Sequence, residues 1–271
     1  MVRKAVLGTE NEYRTYPGEI PARPPVLCAG CPHRGLYYAI KPFKPYVSGD
    51  IGCYTIGASA PLSMMDACVC MGASVSALHG FNTARGKEQA RRSLAVIGDS
   101  TFIHSGITGL IDIVYNKGIS TVVVLDNSTT GMTGHQDNPG SGYTLMGEEA
   151  PMISVEKVFG AYGYAPIFTV DPQDLAAMKK TVDDAVAALN EGKHPAIVTR
   201  RPCLLIKRVK HDTGMCVVNP DKCKSCKSCL KVGCPAISME NGKAFIDRTQ
   251  CVGCTVCAQA CPFDAIEKEE K

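Results

Sequence analysis

The sequence predicts an α/β protein with a parallel sheet covered by helices on both faces, followed by a small α+β unit dense in cysteine. Three observations carry this. Short apolar runs rich in Val and Ile alternate with helical stretches through the middle of the chain; the alternation stops after Arg201; and the last stretch repeats one cysteine pattern twice. Parallel strands need long crossover connections, usually helices, so regular strand-helix alternation is the pattern of a parallel sheet.

Residues 1–27 carry Tyr16-Pro17-Gly18 and then Pro21, Pro24 and Pro25, which reads as an arm or linker with no core of its own. A first domain is expected over 28–210. Within it, 93–97 reads as a strand, 104–117 as a helix and 121–125 as a buried strand rich in Val. The pattern continues with a helix at 154–162, a strand at 166–170, an amphipathic helix at 173–191 ended by Gly192, and a strand at 196–199. A second, cysteine-rich domain is expected over 211–271.

With 271 residues, 45% hydrophobic and 20% charged, the chain can bury a sizeable core in one large and one small domain. A net charge of +3 is too small to argue for nucleic acid, and the basic stretch at 200–210 is interrupted by apolar residues. No nucleic-acid partner is expected. No apolar run suits a signal peptide or a membrane span, so a cytoplasmic protein without membrane association is expected. Fifteen cysteines, an odd count with most at metal-ligand spacings, read as thiolates on metal rather than disulfides.

In the tail the first half reads Cys223-x2-Cys226-x2-Cys229-x4-Cys234-Pro235 and the second Cys251-x2-Cys254-x2-Cys257-x3-Cys261-Pro262. This resembles the bacterial two-cluster ferredoxins, in which three closely spaced cysteines wrap one cluster and the fourth, followed by proline, reaches the other. The resemblance implies two 4Fe-4S clusters, on Cys223, Cys226, Cys229 with Cys261, and on Cys251, Cys254, Cys257 with Cys234. The plainer reading is a zinc ribbon, which would leave the third cysteine of each triplet and both Cys-Pro steps without a use. One residue more than usual precedes Cys234.

In the first domain, Gly98-Asp99-Ser100 follows one expected strand and Asp126-Asn127-Ser128 ends the next, at the carboxyl tips where open α/β sheets bind ligands. Mg2+ takes oxygen ligands in octahedral geometry, shared with substrate phosphates. The Asp99 carboxylate, the Asn127 side-chain oxygen and the Thr129 backbone carbonyl supply three such ligands.

These residues resemble the Gly-Asp-Gly…Asn motif of thiamine-diphosphate enzymes, with Ser100 at the third position. Further segments extend the match: Cys28-Ala-Gly-Cys31-Pro-His-Arg34, Gly49-Asp-Ile-Gly-Cys53-Tyr-Thr55, Cys70-Met-Gly-Ala-Ser74, 97–106, 126–136 and Arg201-Pro-Cys203. Together with the tail they are similar to the carboxy-terminal half of the large (alpha) subunit of indolepyruvate:ferredoxin oxidoreductase, over residues 24–271. The resemblance implies oxidative decarboxylation of a 2-oxoacid, an arylpyruvate such as indolepyruvate, on thiamine diphosphate with Mg2+. Release as acyl-CoA, with electrons passed to an external ferredoxin, is implied with it.

The cofactor-binding residues so implied are Gly52, Gly98, Asp99, Ser100, Thr101, Asn127, Thr129, Gly131, Met132 and Thr133. His33, His104 and His135 are implied to position the substrate carboxylate or move a proton, against the plainer reading of structural hydrogen bonding. Related pyruvate oxidoreductases imply a third 4Fe-4S cluster on Cys28, Cys31, Cys53 and Cys203, where the plainer reading is structural zinc or buried thiols. Cys68, Cys70 and Cys216 have no partner at cluster spacing.

Only the diphosphate-binding type of thiamine domain is found. A separate pyrimidine-binding, gamma-type subunit is therefore expected to complete the enzyme, with coenzyme A and a 2-oxoacid as its small-molecule partners. Two other readings stay open: a non-oxidative thiamine-dependent decarboxylase, and a non-enzymatic electron-relay subunit.

Overall fold

The computed structural model describes residues 2–8, 15–211 and 214–269. The reading of 1–27 as an arm falls partly outside these residues, as do points in and at the end of 211–271. No described helix is long and apolar enough to cross a membrane.

Six parallel strands form the main sheet: β1 Tyr46–Gly49, β2 Ala67–Cys68, β3 Ser93–Gly98, β4 Thr121–Asp126, β5 Ile167–Val170 and β6 Ala196–Arg200, in the order β2-β1-β3-β4-β6-β5. Every residue of β3 and β4 is buried, as a central strand covered on both faces requires. Side chains alternate between the faces. Leu94, Val96, Val123 and Leu125 pack with Leu36 and Ile40 of helix His33–Ile40 and Met178 and Val182 of helix Leu175–Asn190. Ala95, Ile97, Val122 and Val124 pack on the opposite side with Val75 and Leu78 of helix Ala73–Arg85, Leu110 and Ile113 of helix Ile107–Tyr115, and Phe159 of helix Val155–Ala161.

The structure differs from the sequence expectation in two respects. The helix expected from 104 begins directly after β3, at Asp99, and passes through a π-turn at Phe102–Gly106 into Ile107–Tyr115. Gly98 ends the strand and caps that helix, so no loop separates them. Strands β1 and β2 and helix Ala73–Arg85 were not anticipated. The strands are four and two residues long, and only Val75 and Leu78 of the helix's large apolar side chains are fully buried. Such short or weakly amphipathic segments carry little periodic signal.

The tail pairs β7 Met215–Val218 with β10 Ile266–Glu269 and β8 Ile237–Glu240 with β9 Lys243–Ile246, both antiparallel. Asn241 and Gly242, at φ 48° and 76°, make the two-residue turn of the second hairpin, and Asn-Gly is the pair that tolerates two left-handed residues in succession. Cys216, Cys223, Cys229 and Cys257 join Ile237, Ala244, Ile246, Ala265 and Ile266 in its small core.

Candidate cofactor and cluster sites

Register places the first site. Gly98 pairs with Leu125 and Asp126 with Arg200, so the residues that follow β3, β4 and β6 emerge side by side at one edge of the sheet. Asp99 is 3% exposed; one carboxylate oxygen accepts the Ser100 N–H at 2.8 Å, and the other is buried with no partner. Burial, and then the neighbouring Asp126 carboxylate, push its pKa up to about 7. The Asn138 side-chain amide, drawn toward the same carboxylate, also keeps a nitrogen without a partner. An orphaned buried carboxylate oxygen is costly unless a cation meets it. A hard divalent ion fits this position.

The surrounding turn is rigidly built. Asp126 accepts the Ser128 N–H at 3.0 Å and holds Arg200 at 2.7 Å, while Arg200 reaches Glu156 at 2.6 Å. Burial alone would raise the Glu156 carboxyl, but its bonds from Arg200, from its own backbone N–H, Ser154 and Thr169 hold it down at about 2. Across the mouth, the fully buried Asp50 accepts the N–H groups of Ile51 at 2.8 Å, Gly72 at 3.0 Å and Ser74 at 3.1 Å. Asp50 thereby ties the Gly49–Thr55 segment to the start of helix Ala73–Arg85. Tyr54 fills the space between: a Cβ on Gly52 would stand 2.5 Å from its ring, and one on Gly98 2.6 Å.

The resulting cavity, of about 120 Å3, is lined by His33, Gly52, Gly98, Asp99, Ser100, Thr101, Asn127, Thr129, Gly131, Met132 and Thr133, together with Ile51, Cys53, Tyr54, Met71 and Thr130. All ten residues assigned from sequence to cofactor binding are here. It is smaller than the roughly 300–1,000 Å3 of an enclosed small-molecule site. Its rim is apolar and open, with Ile51, Met71 and Met132 each more than one-third exposed.

Next to it lies a second cavity, of about 80 Å3, lined by Cys28, Cys31, Cys53 and Cys203. His33, Cys53 and Asn127 line both cavities and form the wall between them. Burial, offset in part by the His33 backbone N–H and Arg34, pushes the Cys31 thiol up to about 12. A thiol so placed ionises only with a metal to hold it.

In the tail, Cys223, Cys226, Cys229 and Cys261 surround one cavity. Cys234, Cys251 and Cys254 lie within electrostatic reach of one another, and Cys257 faces Cys254 and Cys234. The two loops share a backbone: Ser225 and Lys227 flank Cys226 at φ 57° and 60°, and Gly253 and Thr255 flank Cys254 at 66° and 62°. Left-handed residues beside right-handed ones turn successive N–H groups inward, forming an anion nest of the kind that cradles Fe–S clusters. Sulfur atoms accept those N–H groups two residues on: Cys223 from Ser225, Cys226 from Ser228 and Cys254 from Val256. Cys31 with His33 and Cys203 with Leu205 repeat the arrangement in the first domain.

Among the described residues no three His, Cys, Asp or Glu side chains converge on a single-ion site. A lone zinc ion needs its thiolates around one centre, whereas a cubane spreads them over four irons.

The three histidines separate. His33 is buried, stands edge-on to Tyr54 with ring centroids 5.7 Å apart, and burial lowers its pKa to about 4. His135 is exposed and lines the four-cysteine cavity. His104 is exposed, bonded to Ser105, and lines neither cavity. Sequence reasoning passed over Asp50, Tyr54, Asn138 and Arg200, whose roles depend on partners distant in the chain. It also left Cys216 without a role, although the Cys216 N–H donates to the Cys251 sulfur at 3.2 Å.

Residues 50–199 match the family described as thiamine pyrophosphate enzyme, C-terminal TPP binding domain, and residues 244–267 match the 4Fe-4S binding domain. The chain is 39% identical to the indolepyruvate oxidoreductase subunit IorA of Methanothermobacter marburgensis, covering 100% of this chain and 45% of that protein. It is 40% identical to IorA of Thermococcus kodakarensis, covering 95% and 42%. The chain thus spans less than half the length of these curated relatives. A solved structure, 2-oxoglutarate:ferredoxin oxidoreductase from Magnetococcus marinus with 2-oxoglutarate, coenzyme A and succinyl-CoA bound, aligns with a TM-score of 0.50 at 20% identity. That alignment covers 71% of this chain and 68% of the other, and shows a shared fold.

Proposed function

The chain belongs to the thiamine pyrophosphate enzymes that carry the C-terminal TPP binding domain, and from that premise we propose that it is the cofactor-binding and electron-conducting part of a 2-oxoacid:ferredoxin oxidoreductase acting on an arylpyruvate such as indolepyruvate. The observation that carries this reading is the shared wall. His33, Cys53 and Asn127 belong at once to the cofactor cavity and to the four-cysteine cavity. A carbon-activating cofactor without redox centres suits a non-oxidative lyase; one placed against cysteines that hold a cluster suits oxidation.

Thiamine diphosphate held there would supply the nucleophilic carbon that decarboxylation of a 2-oxoacid needs. The chain's own residues do the rest. The free oxygen of Asp99, the Asn127 side chain and the Thr129 carbonyl would hold Mg2+. Gly52 and Gly98, backed by Tyr54, keep the cavity floor clear of side chains. Met132 and Met71 offer apolar cover to the rings.

Cys28, Cys31, Cys53 and Cys203 would hold a third 4Fe-4S cluster, and with the two clusters that the tail cysteines would hold it would supply one-electron acceptor chemistry beside the cofactor cavity, toward an external ferredoxin. The small open cavity with an apolar rim is half of a site. A pyrimidine-binding chain would cover it and contribute the activating carboxylate, with coenzyme A as the acyl acceptor.

The test is anaerobic purification with the partner chain, followed by thiamine, magnesium and iron analysis and a viologen-linked assay over a panel of 2-oxoacids with coenzyme A. Arylpyruvate-dependent dye reduction that requires coenzyme A supports the proposal. Aldehyde release without an electron acceptor favours the non-oxidative reading, and full iron without thiamine favours an electron relay.

A further inference from the structure

Arg34 is 2% exposed, and the hydrogen bonds of its two terminal nitrogens go to carbonyl oxygens. Nη2 donates to Leu27 at 2.7 Å and Cys28 at 2.9 Å; Nη1 donates to Val232 at 3.0 Å and also to Gly233. One end thus holds the first cysteine of Cys28-x2-Cys31, and the other holds the residues immediately before Cys234, nearly 200 positions away. Nε has no partner, and none of the ion pairs among the described residues includes Arg34. Burying a cation without a counter-ion is expensive. Carbonyl dipoles take up the protons of Nη1 and Nη2 but do not balance the charge.

The same seam is closed by other contacts. A Cβ on Gly30, at φ +70°, would collide with Val252, the neighbour of Cys251, and with Leu204, the neighbour of Cys203. Gln173 donates to the Gly30 carbonyl at 2.8 Å, and Gln259 of the tail donates to the Gln173 carbonyl at 2.8 Å. The Cys28 loop and the Cys251 and Cys234 loops are therefore pressed together with Arg34 between them. Of the other tail set, only Cys229 approaches the seam, as the first residue of the short helix Cys229–Val232 whose last carbonyl Arg34 holds, while Cys226 is exposed.

We propose that Arg34 is a positioning residue whose buried charge is the shared counter-ion of two anionic clusters, one on Cys28, Cys31, Cys53 and Cys203 and one on Cys234, Cys251, Cys254 and Cys257. This rests on the cluster assignments given above. Arg34 holds the two loops in register for electron transfer and raises the reduction potential of both clusters.

The test compares Arg34→Gln, which keeps donors without charge, with Arg34→Lys, which keeps charge without the fork, in the holo-complex prepared anaerobically. Reduction potentials are read by EPR-monitored titration and iron by direct analysis. The expected result is a shift of the Cys28 and Cys251 clusters to more negative potential in Arg34→Gln, larger than any shift of the third cluster, with potentials near wild type in Arg34→Lys. Potentials unchanged in Arg34→Gln, or a shift in one cluster alone, overturn the proposal and leave Arg34 a staple between domains. Wild-type iron for two cubanes rather than three sinks the assignment of the Cys28 cluster, and this inference with it.

Discussion

The backbone N–H of Cys203 donates to the carbonyl oxygen of Asn127 at 2.9 Å. Asn127 follows β4 and belongs to the candidate Mg2+ site; Cys203 follows β6 and belongs to the four-cysteine cavity. The adjacent bond, Arg201 N–H to the Asp126 carbonyl at 3.0 Å, extends the parallel ladder one step past the strands. The two candidate centres are thus built on one zipped pair of strand ends.

That zipper makes cofactor and cluster loss separable. Asp99→Asn removes the negative charge facing the unpartnered position while leaving shape nearly unchanged. The assembled complex is expected to retain its iron and to lose thiamine diphosphate affinity by at least about tenfold, roughly 1.4 kcal/mol. Titration of thiamine diphosphate and Mg2+ into the cofactor-free complex measures it.

Cys53→Ser acts on the other side of the wall. It is expected to lower iron content by one cubane and to slow substrate-driven reduction of the tail, while the tail's own EPR signals persist. Loss of tail iron in this variant would count against Cys53 as a ligand of a separate cluster.

The tail contains one more thiol than two cubanes need on their second side, since Cys216 contacts Cys257 and donates its N–H to Cys251. Cys234→Ala is expected to yield an incomplete, 3Fe-type cluster, whereas Cys216→Ala leaves iron content unchanged because its backbone N–H remains. Iron analysis with EPR of the oxidised proteins distinguishes the two.

Gly98→Ala forces a methyl group against the buried Tyr54 ring, 2.6 Å from its nearest carbon. Overpacking of this kind costs about 1–3 kcal/mol. A lowered denaturation midpoint together with weakened thiamine binding is expected, since Tyr54 backs the cavity floor.

Glu156 sets a pH dependence. Its carboxyl sits at about 2 in the folded protein against a usual 4.5, so its pairing with Arg200 contributes stability fully above pH 4.5 and loses it as pH falls toward 2. Both partners are partly exposed, and the contribution is on the order of 1 kcal/mol. The stability difference between wild type and Glu156→Gln is expected to be largest at neutral pH and to vanish near pH 2, followed by chemical denaturation across that range.

Local chemistry settles much of this protein from sequence alone. The Cys-x2-Cys-x2-Cys spacing, Gly98-Asp99, Asp126-Asn127 and the Val-rich β4 each place their meaning within a few residues, because cluster loops, strand-to-helix turns and buried strands are short-range structures. The fold class follows from those signals, and the residues that the family resemblance implies for the cofactor line one cavity. What the tertiary structure decided lies at long range: that Cys203 reaches Asn127, that His33 lines the candidate cofactor cavity while His104 stays outside, that Asp50 pins three backbone amides, and that Arg34 bridges Cys28 and Gly233. Such contacts depend on how the strands are ordered in the sheet and on how the tail docks against it, and both are set by burial of distant surfaces that no local pattern encodes.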